Sequence, residues 1–546
     1  MAQFVNAKED IVTEAIDGLV AASGGTLARL DGYPYIRVVT RAGIDRSKVA
    51  LVSGGGSGHE PSHAGFVGPG MLTAAVCGDV FASPSVEAVL AGILAVTGEA
   101  GCLLIVKNYT GDRLNFGLAA ERARAFGLRV EMVIVGDDVA LPDLAQPRGV
   151  AGTLFVHKIA GAAAESGASL DHVAAVARRV IARVRSIGMS LDTCTVPGSP
   201  KEGRVPPGRA ELGLGIHGEA GASQIDYRGA RDAMAAMIDR LAPHLGEGPH
   251  VALLNNLGGT TVLEMSILAE ELRRSPIGER VRAIVGPAAL MTSLDMHGVS
   301  VSLLPVGEDD LALLEADTPI RAWPGLRPFG AVATLPLPDG LRPIRPTPSA
   351  HGETERVLRV CCEALAAAEA DLNALDAKSG DGDTGTTLAT AAQALMAGME
   401  RLPLADHTQL FRAIGQDLSQ TMGGSSGVLL AIFFAAAADA ASSGHDMRDA
   451  LGAGLARMQE IGGAALGDRT MVDALAPAID ALGDGPAAAA AAARRGAERT
   501  AEMGEARAGR AAYVGSQMTG HADPGAEAVA RLFEAVVRAR QTHSVT

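Results

Sequence analysis

The first 330 residues alternate short runs rich in β-branched residues with glycine-rich turns and helical stretches. KVALVSGGGSGHEP (48–61) and GCLLIVKNYTGD (101–112) each place an apolar run before a turn of small and polar residues, and LRVEMVIVGDD and HVALLNNLGG repeat this pattern. Continuous apolar runs of this length predict buried strands. Strands that alternate with helices predict a sheet flanked by helices, with ligand-binding turns at the strand ends. The pattern therefore predicts an α/β domain over residues 1–332.

The pattern changes near residue 331. A stretch with five prolines and little periodicity predicts an extended, stiff linker over residues 333–351. Beyond it, apolar residues recur at helical spacing with few β-branched runs, which predicts an all-helical bundle or barrel over residues 352–546. We interpret the alanine-rich segment GPAAAAAAARRGAERT (485–500) as a surface helix or a tolerated length variant.

The charge and the cysteines exclude some classes of partner. Acidic residues outnumber basic ones, 62 to 47, and the formal net charge is −15. This balance argues against nucleic acid or an anionic membrane surface as a binding partner. The five cysteines form no CxxC pair, as expected of buried free thiols in a reducing compartment.

We expect neither a signal peptide nor a membrane-spanning helix. The N-terminal stretch MAQFVNAKED carries acidic residues early, and no uninterrupted apolar run reaches the roughly 18 residues of a membrane span. The nearest candidate, VLLAIFFAAAADAASS from Val428, is interrupted by Asp439 and is interpreted as a buried helix. These features predict a cytoplasmic protein.

The segment DAKSGDGDTGTT (376–387) carries three carboxylates in a glycine-rich turn after a predicted helix. Such a turn can bring Asp376, Asp381 and Asp383 together, and clustered acids repel one another unless a cation lies between them. Oxygen ligands suit Mg²⁺ or Ca²⁺, but an EF-hand is excluded because no Glu occupies the twelfth loop position. A solvated acidic turn after a helix C-cap is the structural alternative.

Three further segments of the helical domain are compatible with phosphate binding. MGGSSG (422–427) joins two predicted helices through small residues whose backbone N–H groups can bind an anion. GDRTMVDALAP (467–477) is predicted to start a helix with Asp468 as its N-cap. The C-terminal region contributes Arg510 and the turn Asp523-Pro524-Gly525. Each segment alone is weak evidence, and together they indicate several phosphate-compatible turns beside one acid cluster.

Candidate acid–base residues of the first domain follow two predicted strands. The turn after the first strand departs from G-x-G-x-x-G, and the chain contains no Gly-Lys dipeptide, so neither common nucleotide-binding loop is expected there. His59 lies in this turn, where an isolated histidine is more often structural. Lys107 and Asp112 follow the second strand, and His217 lies in the glycine-bounded stretch ELGLGIHGEAG. Together these groups could bind and deprotonate a small polar substrate.

Eight motifs in a fixed order resemble the dihydroxyacetone kinase family, in its single-chain, ATP-dependent form. They are GGGSGHEP, VKNYTGD, GLGIHGE, MTSLDM, GDGDTG, GGSSG, GDRTM and HADPGA, and the resemblance spans residues 8–540. It implies a substrate-binding α/β domain fused to a helical nucleotide-binding domain. It also implies a kinase that phosphorylates a terminal hydroxyl group of dihydroxyacetone from Mg-ATP, with glyceraldehyde as a further expected substrate.

The resemblance assigns roles in the first domain. His217 is expected to form a covalent hemiaminal with the substrate carbonyl group, and His59 to hydrogen-bond the bound substrate. Asp112 is expected to be the base that takes the proton from the attacking hydroxyl group, with Lys107 in contact with the substrate beside it. Further residues expected to line this pocket are Gly56, Ser57 and Gly58.

The resemblance also assigns the second domain. The three aspartates of the acid cluster are expected to hold two Mg²⁺ ions that bridge the phosphates of ATP. Residues expected to surround the nucleotide are Thr384, Gly385, Thr386, Thr387, Ser425, Ser426, Gly462, Met471, Arg510, Asp523, Pro524 and Gly525. The family pattern further implies a homodimer in which each helical domain serves the substrate site of the partner chain.

Departures from the family pattern leave alternatives open. The segment CTVPGSPKEGRVPPGRAELGLG is richer in proline and arginine than usual, and His297 stands where proline is frequent. A four-carbon ketose such as erythrulose is therefore an alternative substrate. A phosphoenolpyruvate-driven relative carries a histidine where this chain has Thr384, and a ketose-sensing regulator would lack the metal carboxylates or the base. No residue indicates an additional FAD-cleaving activity.

Overall fold

Two mixed β-sheets lie in the first of the two units into which the chain divides, residues 1–334. The computed structural model describes residues 3–141, 146–338, 346–378, 380–508 and 520–541. The strands are β1 (Leu27–Arg29), β2 (Val38–Arg41), β3 (Ala50–Ser57), β4 (Ala74–Val80), β5 (Cys102–Lys107), β6 (Val130–Val135), β7 (Arg185–Ser190), β8 (Arg209–Leu212), β9 (Ser223–Asp226), β10 (His250–Asn256), β11 (Val281–Ala288), β12 (Gly298–Pro305) and β13 (Leu326–Pro328). The helices of this unit are α1 (Ile11–Ala21), α2 (Val86–Val96), α3 (Thr110–Ala125), α4 (Thr153–Glu165), α5 (Leu170–Arg183), α6 (Ala230–Leu241), α7 (Val262–Arg274) and α8 (Glu308–Glu315).

The two sheets differ in strand direction. The first has the order β1-β2-β4-β3-β5-β6, and β3 to β6 run parallel. The second has the order β13-β11-β10-β12-β7-β8-β9, with β10 and β11 parallel and the other pairs antiparallel. The predicted α/β class is confirmed, but the sequence pattern suggested one sheet. Strands β7 to β9 are short and carry polar residues, so they lack the continuous apolar signal of the parallel strands.

Helix α4 lies in the core that both sheets share. Every residue from Thr153 to Ala164 is buried, as expected of a helix with neighbours on all sides. Lys158 is part of this helix, and its Nζ donates to the carbonyl oxygens of Leu313 (2.8 Å) and Ala316 (2.7 Å). These carbonyls lie at the C-terminal end of α8, where a helix carries partial negative charge. The buried cation therefore ties α4 to α8.

The second unit, residues 335–546, is helical throughout its described part. Its helices are α9 (Gly352–Ala367), α10 (Glu369–Asp376), α11 (Thr384–Ala397), α12 (His407–Thr421), α13 (Gly424–Ser442), α14 (Met447–Gly462), α15 (Val472–Asp480), α16 (Pro486–Thr500) and α17 (Pro524–Gln541). From α10 onwards each helix packs against the next, and α17 packs against α9 and α10. The contacts close into a ring, so the predicted all-helical bundle or barrel is confirmed.

Two helices of this ring differ from expectation. In α13 the buried residues are Gly427, Phe433, Ala437 and Ala438, so the expected burial is borne out only in part. Among the described residues, α13 is the one helix long and apolar enough to cross a membrane, a test that core helices also pass. Helix α16 is not a surface helix, because one face of its alanine-rich sequence is buried on successive turns, and the helix packs against α15 and α17.

Strands β3 and β4 approach closely at Gly54. A Cβ atom there would lie 2.2 Å from the carbonyl oxygen of Val76. We expect Gly54→Ala to lower the free energy of unfolding by about 1–3 kcal/mol, the usual cost of an overpacked core. Urea unfolding followed by fluorescence measures this loss, since Trp323 is the sole tryptophan and is buried in this unit. Gly43→Ala, at an exposed position with no atom within 4 Å, is the matched control, and an equal effect of both variants would contradict the packing argument.

Three buried histidines of the first unit, His59, His63 and His157, predict a pH dependence of its stability. Burial lowers the pKa of each ring, that of His157 to about 3. The folded unit keeps the rings neutral, whereas the unfolded chain protonates them near pH 6.5, so unfolding takes up protons as the pH falls. We expect the free energy of unfolding to decrease below about pH 6.5, by up to about 1.4 kcal/mol per pH unit for each histidine. Urea unfolding at pH 7 and pH 5.5, read from Trp323, measures this decrease, and an unchanged midpoint would contradict it.

Candidate active site

The glycine-rich end of β3 and the start of α3 meet in the first unit. A Cβ atom at Gly55, whose φ is +145°, would lie 3.4 Å from Oδ2 of Asp112 and 3.5 Å from Nζ of Lys107. Lys107 ends β5, and Asp112 lies in the first turn of α3. Lys107 therefore reaches the end of β3 from the neighbouring parallel strand, and Asp112 reaches it from the helix that follows that strand, as polar groups at the ends of parallel strands commonly do.

Of the predicted residues, Gly56 and Ser57 end β3, and Gly58 begins the turn that follows it. A Cβ atom at Gly56 would lie 2.7 Å from the backbone nitrogen of Ala82, and Gly58 has a φ of +98°, which favours glycine. The Ser57 hydroxyl group donates to the carbonyl oxygen of Gly78 (2.8 Å). This hydrogen bond therefore ties the end of β3 to β4.

His59 is buried, and one hydrogen bond orients its ring. Its Nδ1 lies 2.8 Å from the carbonyl oxygen of Thr292, so Nδ1 carries the proton and Nε2 carries a lone pair. Burial, reinforced by the charge of Lys107, lowers the pKa of His59 well below its usual value and keeps the ring neutral. Nε2 has no hydrogen-bond partner among the described residues. It is available to accept a hydrogen bond from a ligand hydroxyl group.

His217 lies in the loop after β8, with three rings around it. Its ring centroid is 4.4 Å from that of Tyr109, 4.8 Å from that of His59 and 5.5 Å from that of Phe81, each edge-on. Nδ1 of His217 lies 3.3 Å from Oε1 of Glu219, and the backbone N–H of His217 donates to Oε2 (2.8 Å). The carboxylate places the ring proton on Nδ1 and leaves the Nε2 lone pair for a ligand.

Glu219, Tyr109 and Phe81 are site residues that the sequence patterns did not single out. Burial is the largest single influence and acts to raise the pKa of Glu219, but the interactions with His217 and with nearby backbone N–H groups together outweigh it and lower the pKa to about 2. The signal for Glu219 is its place two residues after the histidine in GLGIHGE, and that for Tyr109 is its place in the turn KNYTGD. Nothing local indicates Phe81, which reaches the site by stacking on His59 at 5.3 Å.

Four buried polar atoms of this cluster have no hydrogen-bond partner within the described part of the chain. They are His59 Nε2, Lys107 Nζ, Tyr109 OH and Asp112 Oδ1. Such groups are rare in native interiors and cost about 1–3 kcal/mol each. Burial also lowers the pKa of Lys107. A small ligand with several hydroxyl and carbonyl oxygens would supply the missing partners, so the cluster fits a polyhydroxylated compound.

The three predicted metal ligands converge in the second unit. One carboxylate oxygen from each of Asp376, Asp381 and Asp383 lies within 4.8 Å of the others. Asp376 ends α10 and is buried, while the other two are exposed. Oδ2 of Asp376 accepts the backbone N–H groups of Asp383 (2.9 Å) and Thr384 (3.1 Å), which folds the turn back on the helix. This all-oxygen donor set fits Mg²⁺.

The turns expected to bind the nucleotide lie at one end of the helix ring. Neighbouring helices joined by short connections run antiparallel, so every second connection of the ring falls at the same end. Two contacts agree with this arrangement: Lys378 Nζ lies 3.2 Å from His521 Nδ1, and the backbone N–H of Arg507 donates to the carbonyl oxygen of Asp468 (3.1 Å). The connections after α10, α14 and α16 are therefore close in space.

Each expected nucleotide contact can be placed except one. Thr384, Gly385, Thr386 and Thr387 form the first turn of α11, Ser425 and Ser426 lie in the first turn of α13, Gly462 ends α14, Met471 precedes α15, and Asp523, Pro524 and Gly525 form the start of α17. Arg510 lies outside the described residues. The Thr386 hydroxyl group donates to Glu369 (2.9 Å) and also accepts from Asn373 (2.9 Å), so it joins α11 to α10.

Asp468 is not the N-cap that the sequence predicted, because α15 begins four residues later at Val472. Asp473, inside the first turn of that helix, instead holds the turn that precedes it. Its carboxylate accepts the backbone N–H groups of Gly467 (2.6 Å) and Thr470 (2.8 Å). The turn is thus held by an acid within the helix, whereas the prediction placed the acid before it.

Arg469 connects this turn to the start of α17. It is buried and donates to the carbonyl oxygens of Thr500 (3.2 Å) and His521 (2.8 Å). Asp523 lies two residues after His521 and caps α17 by accepting the N–H of Ala526 (2.8 Å). Burial raises the pKa of Asp523 to about 6. The structural role of Arg469 follows from contacts with residues that lie far from it in sequence.

Comparison with known proteins agrees with both halves of this arrangement. The Dak1 domain matches residues 17–322, and the DAK2 domain matches residues 378–538. The chain is 48% identical over 542 residues to the dihydroxyacetone kinase of Citrobacter freundii, with 98% of each chain covered. It is 44% identical over 588 residues to a putative 3,4-dihydroxy-2-butanone kinase of Solanum lycopersicum, again with 98% of each covered.

A solved structure extends the comparison to three dimensions. The crystal structure of the dihydroxyacetone kinase from C. freundii in complex with AMP-PNP and Mg²⁺ matches with a TM-score of 0.69 at 46% identity, covering 98% of this chain and 99% of that chain. Both domains, their order and the length of the match are thus shared. This chain belongs to the dihydroxyacetone kinase family.

Proposed function

We propose that this protein is an ATP-dependent kinase that phosphorylates a terminal hydroxyl group of dihydroxyacetone. The cluster of His217, His59, Lys107 and Asp112 carries the proposal, because it combines a nucleophilic imidazole, a base and unpartnered hydrogen-bonding groups in one buried place. The names of the relatives and the nucleotide and metal bound by one of them support the same chemistry. Phosphoryl transfer needs alignment, charge neutralisation and a base for the acceptor hydroxyl group.

His217 is proposed to hold the ketose covalently. Nε2 attacks the carbonyl carbon, a C–N bond forms, and the π electron pair moves onto the carbonyl oxygen. That oxygen gains a proton while the ring loses the Nδ1 proton that faces Glu219, so the hemiaminal is neutral overall. Because only a carbonyl compound can form this bond, the step selects ketoses over polyols such as glycerol.

Asp112 is proposed to take the proton of the attacking hydroxyl group as its oxygen bonds to phosphorus. Oδ1 of this carboxylate is buried and has no partner among the described residues. Lys107, whose Nζ lies near the same face of Gly55 as this carboxylate, can donate to a substrate oxygen. His59 can accept a hydrogen bond from a second hydroxyl group through Nε2.

The second unit is proposed to bind the nucleotide with its metal ions. Asp376, Asp381 and Asp383 are the residues that would hold two Mg²⁺ ions. Bound Mg²⁺ supplies charge neutralisation and alignment of the phosphates. The N-terminal ends of α11, α13 and α17 present backbone N–H groups, which suit phosphate oxygens because a helix N-terminus carries partial positive charge.

We also propose how the parts are organised. Residues 1–332 would bind the ketose, residues 352–546 would bind Mg-ATP, and residues 333–351 would link them. The active form would be a cytoplasmic homodimer in which the helical domain of one chain serves the ketose site of the partner. The family resemblance supports this organisation, as does the division of the chain into two units.

A four-carbon ketose such as erythrulose is the second candidate substrate. A relative named as a putative 3,4-dihydroxy-2-butanone kinase supports it. Initial rates with dihydroxyacetone, D-glyceraldehyde and both enantiomers of erythrulose, each with Mg-ATP, rank the candidates. A regulator that only senses ketose would retain the sugar without consuming ATP.

Two substitutions separate covalent binding from proton transfer. We expect His217→Ala to abolish the ketose adduct. Asp112→Asn should retain the adduct but lower kcat by about 10²–10⁴-fold, because the amide cannot accept the proton. Native mass spectrometry of the full chain with dihydroxyacetone detects the adduct, and a coupled assay measures kcat. His172→Ala, at an exposed position on α5, is the control, and an adduct that persists in His217→Ala would exclude the hemiaminal.

The acid cluster is tested by removing one exposed carboxylate. We expect Asp381→Ala to lower ketose phosphorylation by about 100-fold or more and to raise the Mg²⁺ concentration needed for half-maximal rate, because a metal ligand is lost. The adduct with His217 should form normally. Glu363→Ala removes an exposed carboxylate of α9 and should leave the rate unchanged. Turnover near the wild-type rate in Asp381→Ala would refute the metal assignment.

A further inference from the structure

A cavity of about 220 Å³ lies between α1, the end of β3 and the residues that follow β3. Its walls include Gly55 and Ser57 at the end of β3 but neither His217 nor Asp112. It is therefore separate from the candidate ketose site and shares one wall with it. The proposed phosphoryl transfer leaves the rest of this cavity without a role.

Helix α1 supplies the apolar part of the wall. Val12, Ile16 and Leu19 recur at helical spacing and line the cavity together with Ala15. Val12 and Ile16 are buried, whereas Ala15 is exposed, so the cavity opens to solvent beside Ala15. An engineered apolar cavity of about 150 Å³ admits benzene. A cavity of this size therefore has room for an aromatic or branched aliphatic body with a substituent.

His63 supplies a buried polar group to the wall of the cavity. It is 4% exposed and lines the cavity, and neither of its ring nitrogens has a hydrogen-bond partner among the described residues. Its ring meets that of His157 edge-on at 5.2 Å, which leaves both nitrogens without a hydrogen bond. A neutral imidazole presents one N–H donor and one lone pair. A hydroxyl group both donates and accepts, so it can pair with either ring nitrogen.

The surroundings disfavour a charged occupant. Any ion would lose its hydration against the apolar wall of α1. An anion would also face Glu60, which lines the cavity and accepts the backbone N–H of Gly58 at 3.0 Å. Lys107 does not line the cavity, but its positive charge acts on His63 and so disfavours a cation beside that ring.

We propose that this cavity binds a small neutral molecule that joins an apolar body to a hydroxyl group. The hydroxyl group pairs with a ring nitrogen of His63, and the apolar body lies against Val12, Ile16 and Leu19. Such a ligand differs from the ketose, because a ketose carries an oxygen on nearly every carbon and has no apolar body to place against α1. The site does not depend on the proposed kinase activity, and its test needs neither ketose nor ATP.

Three probes of similar size test the ligand class on the full-length chain. We expect benzyl alcohol to bind saturably with one site per chain, measured by calorimetric titration. Toluene lacks the hydroxyl group and benzoate carries a charge, so the affinity of each should be lower than that of benzyl alcohol by about tenfold or more. No saturable binding of benzyl alcohol at millimolar concentration would overturn the proposal. Equal affinity for toluene, or tighter binding of benzoate, would overturn the assigned chemistry.

Variants locate the bound probe. Ala15→Trp narrows the opening and should weaken benzyl alcohol by about tenfold or more, while Ala21→Trp, on the same helix but outside the cavity wall, should have no effect. His63→Phe should abolish the preference for benzyl alcohol over toluene. The tryptophan pair decides the location even where His63→Phe fails to fold. Wild-type affinity in Ala15→Trp, or competition by dihydroxyacetone, would place the probe elsewhere and refute the proposal.

Discussion

Three successive residues at the end of β3 lack a Cβ atom, and the surrounding structure uses the space that this leaves. Gly54 allows β4 to lie against β3, and Gly56 allows the loop after β4 to close over the turn. Gly55 faces the side chains of Lys107 and Asp112. The same short run therefore controls how the sheet packs and how the polar cluster assembles. Stability and ligand binding are coupled at this point because both need backbone atoms closer than a side chain would permit.

Much of the first site could be predicted because its residues follow strong strand signals. β3 and β5 are continuous apolar runs, and parallel strands present the groups after them at one edge, which brings His59, Lys107 and Asp112 together. Tyr109 was missed because it meets the ring of His217 only through a contact between residues far apart in sequence. Glu219 was missed because only the folded loop shows that its carboxylate turns back onto His217. The second sheet was missed because its antiparallel strands are short and partly polar.

The second unit shows a different division between what sequence can and cannot indicate. The acid cluster was predictable because its three residues lie within one turn of chain, where spacing alone sets their proximity. The burial of α16 was not, because alanine favours a helix equally whether that helix faces solvent or neighbours. The role of Asp473 was also hidden, since the local pattern pointed to Asp468. The connections after α10, α14 and α16 lie at one end of the ring because neighbouring helices alternate in direction.

The carboxylate of Asp376 takes part both in the start of α11 and in the acid cluster. Its Oδ2 accepts the N–H groups that begin α11, so a cation in the acid cluster competes with the helix start for that oxygen. The protein therefore offers such an ion an incomplete coordination shell, and oxygens from water or phosphate must fill the rest. A site built in this way holds its cation tightly only in the presence of the second ligand. Metal and nucleotide would then bind and leave as a single exchangeable unit.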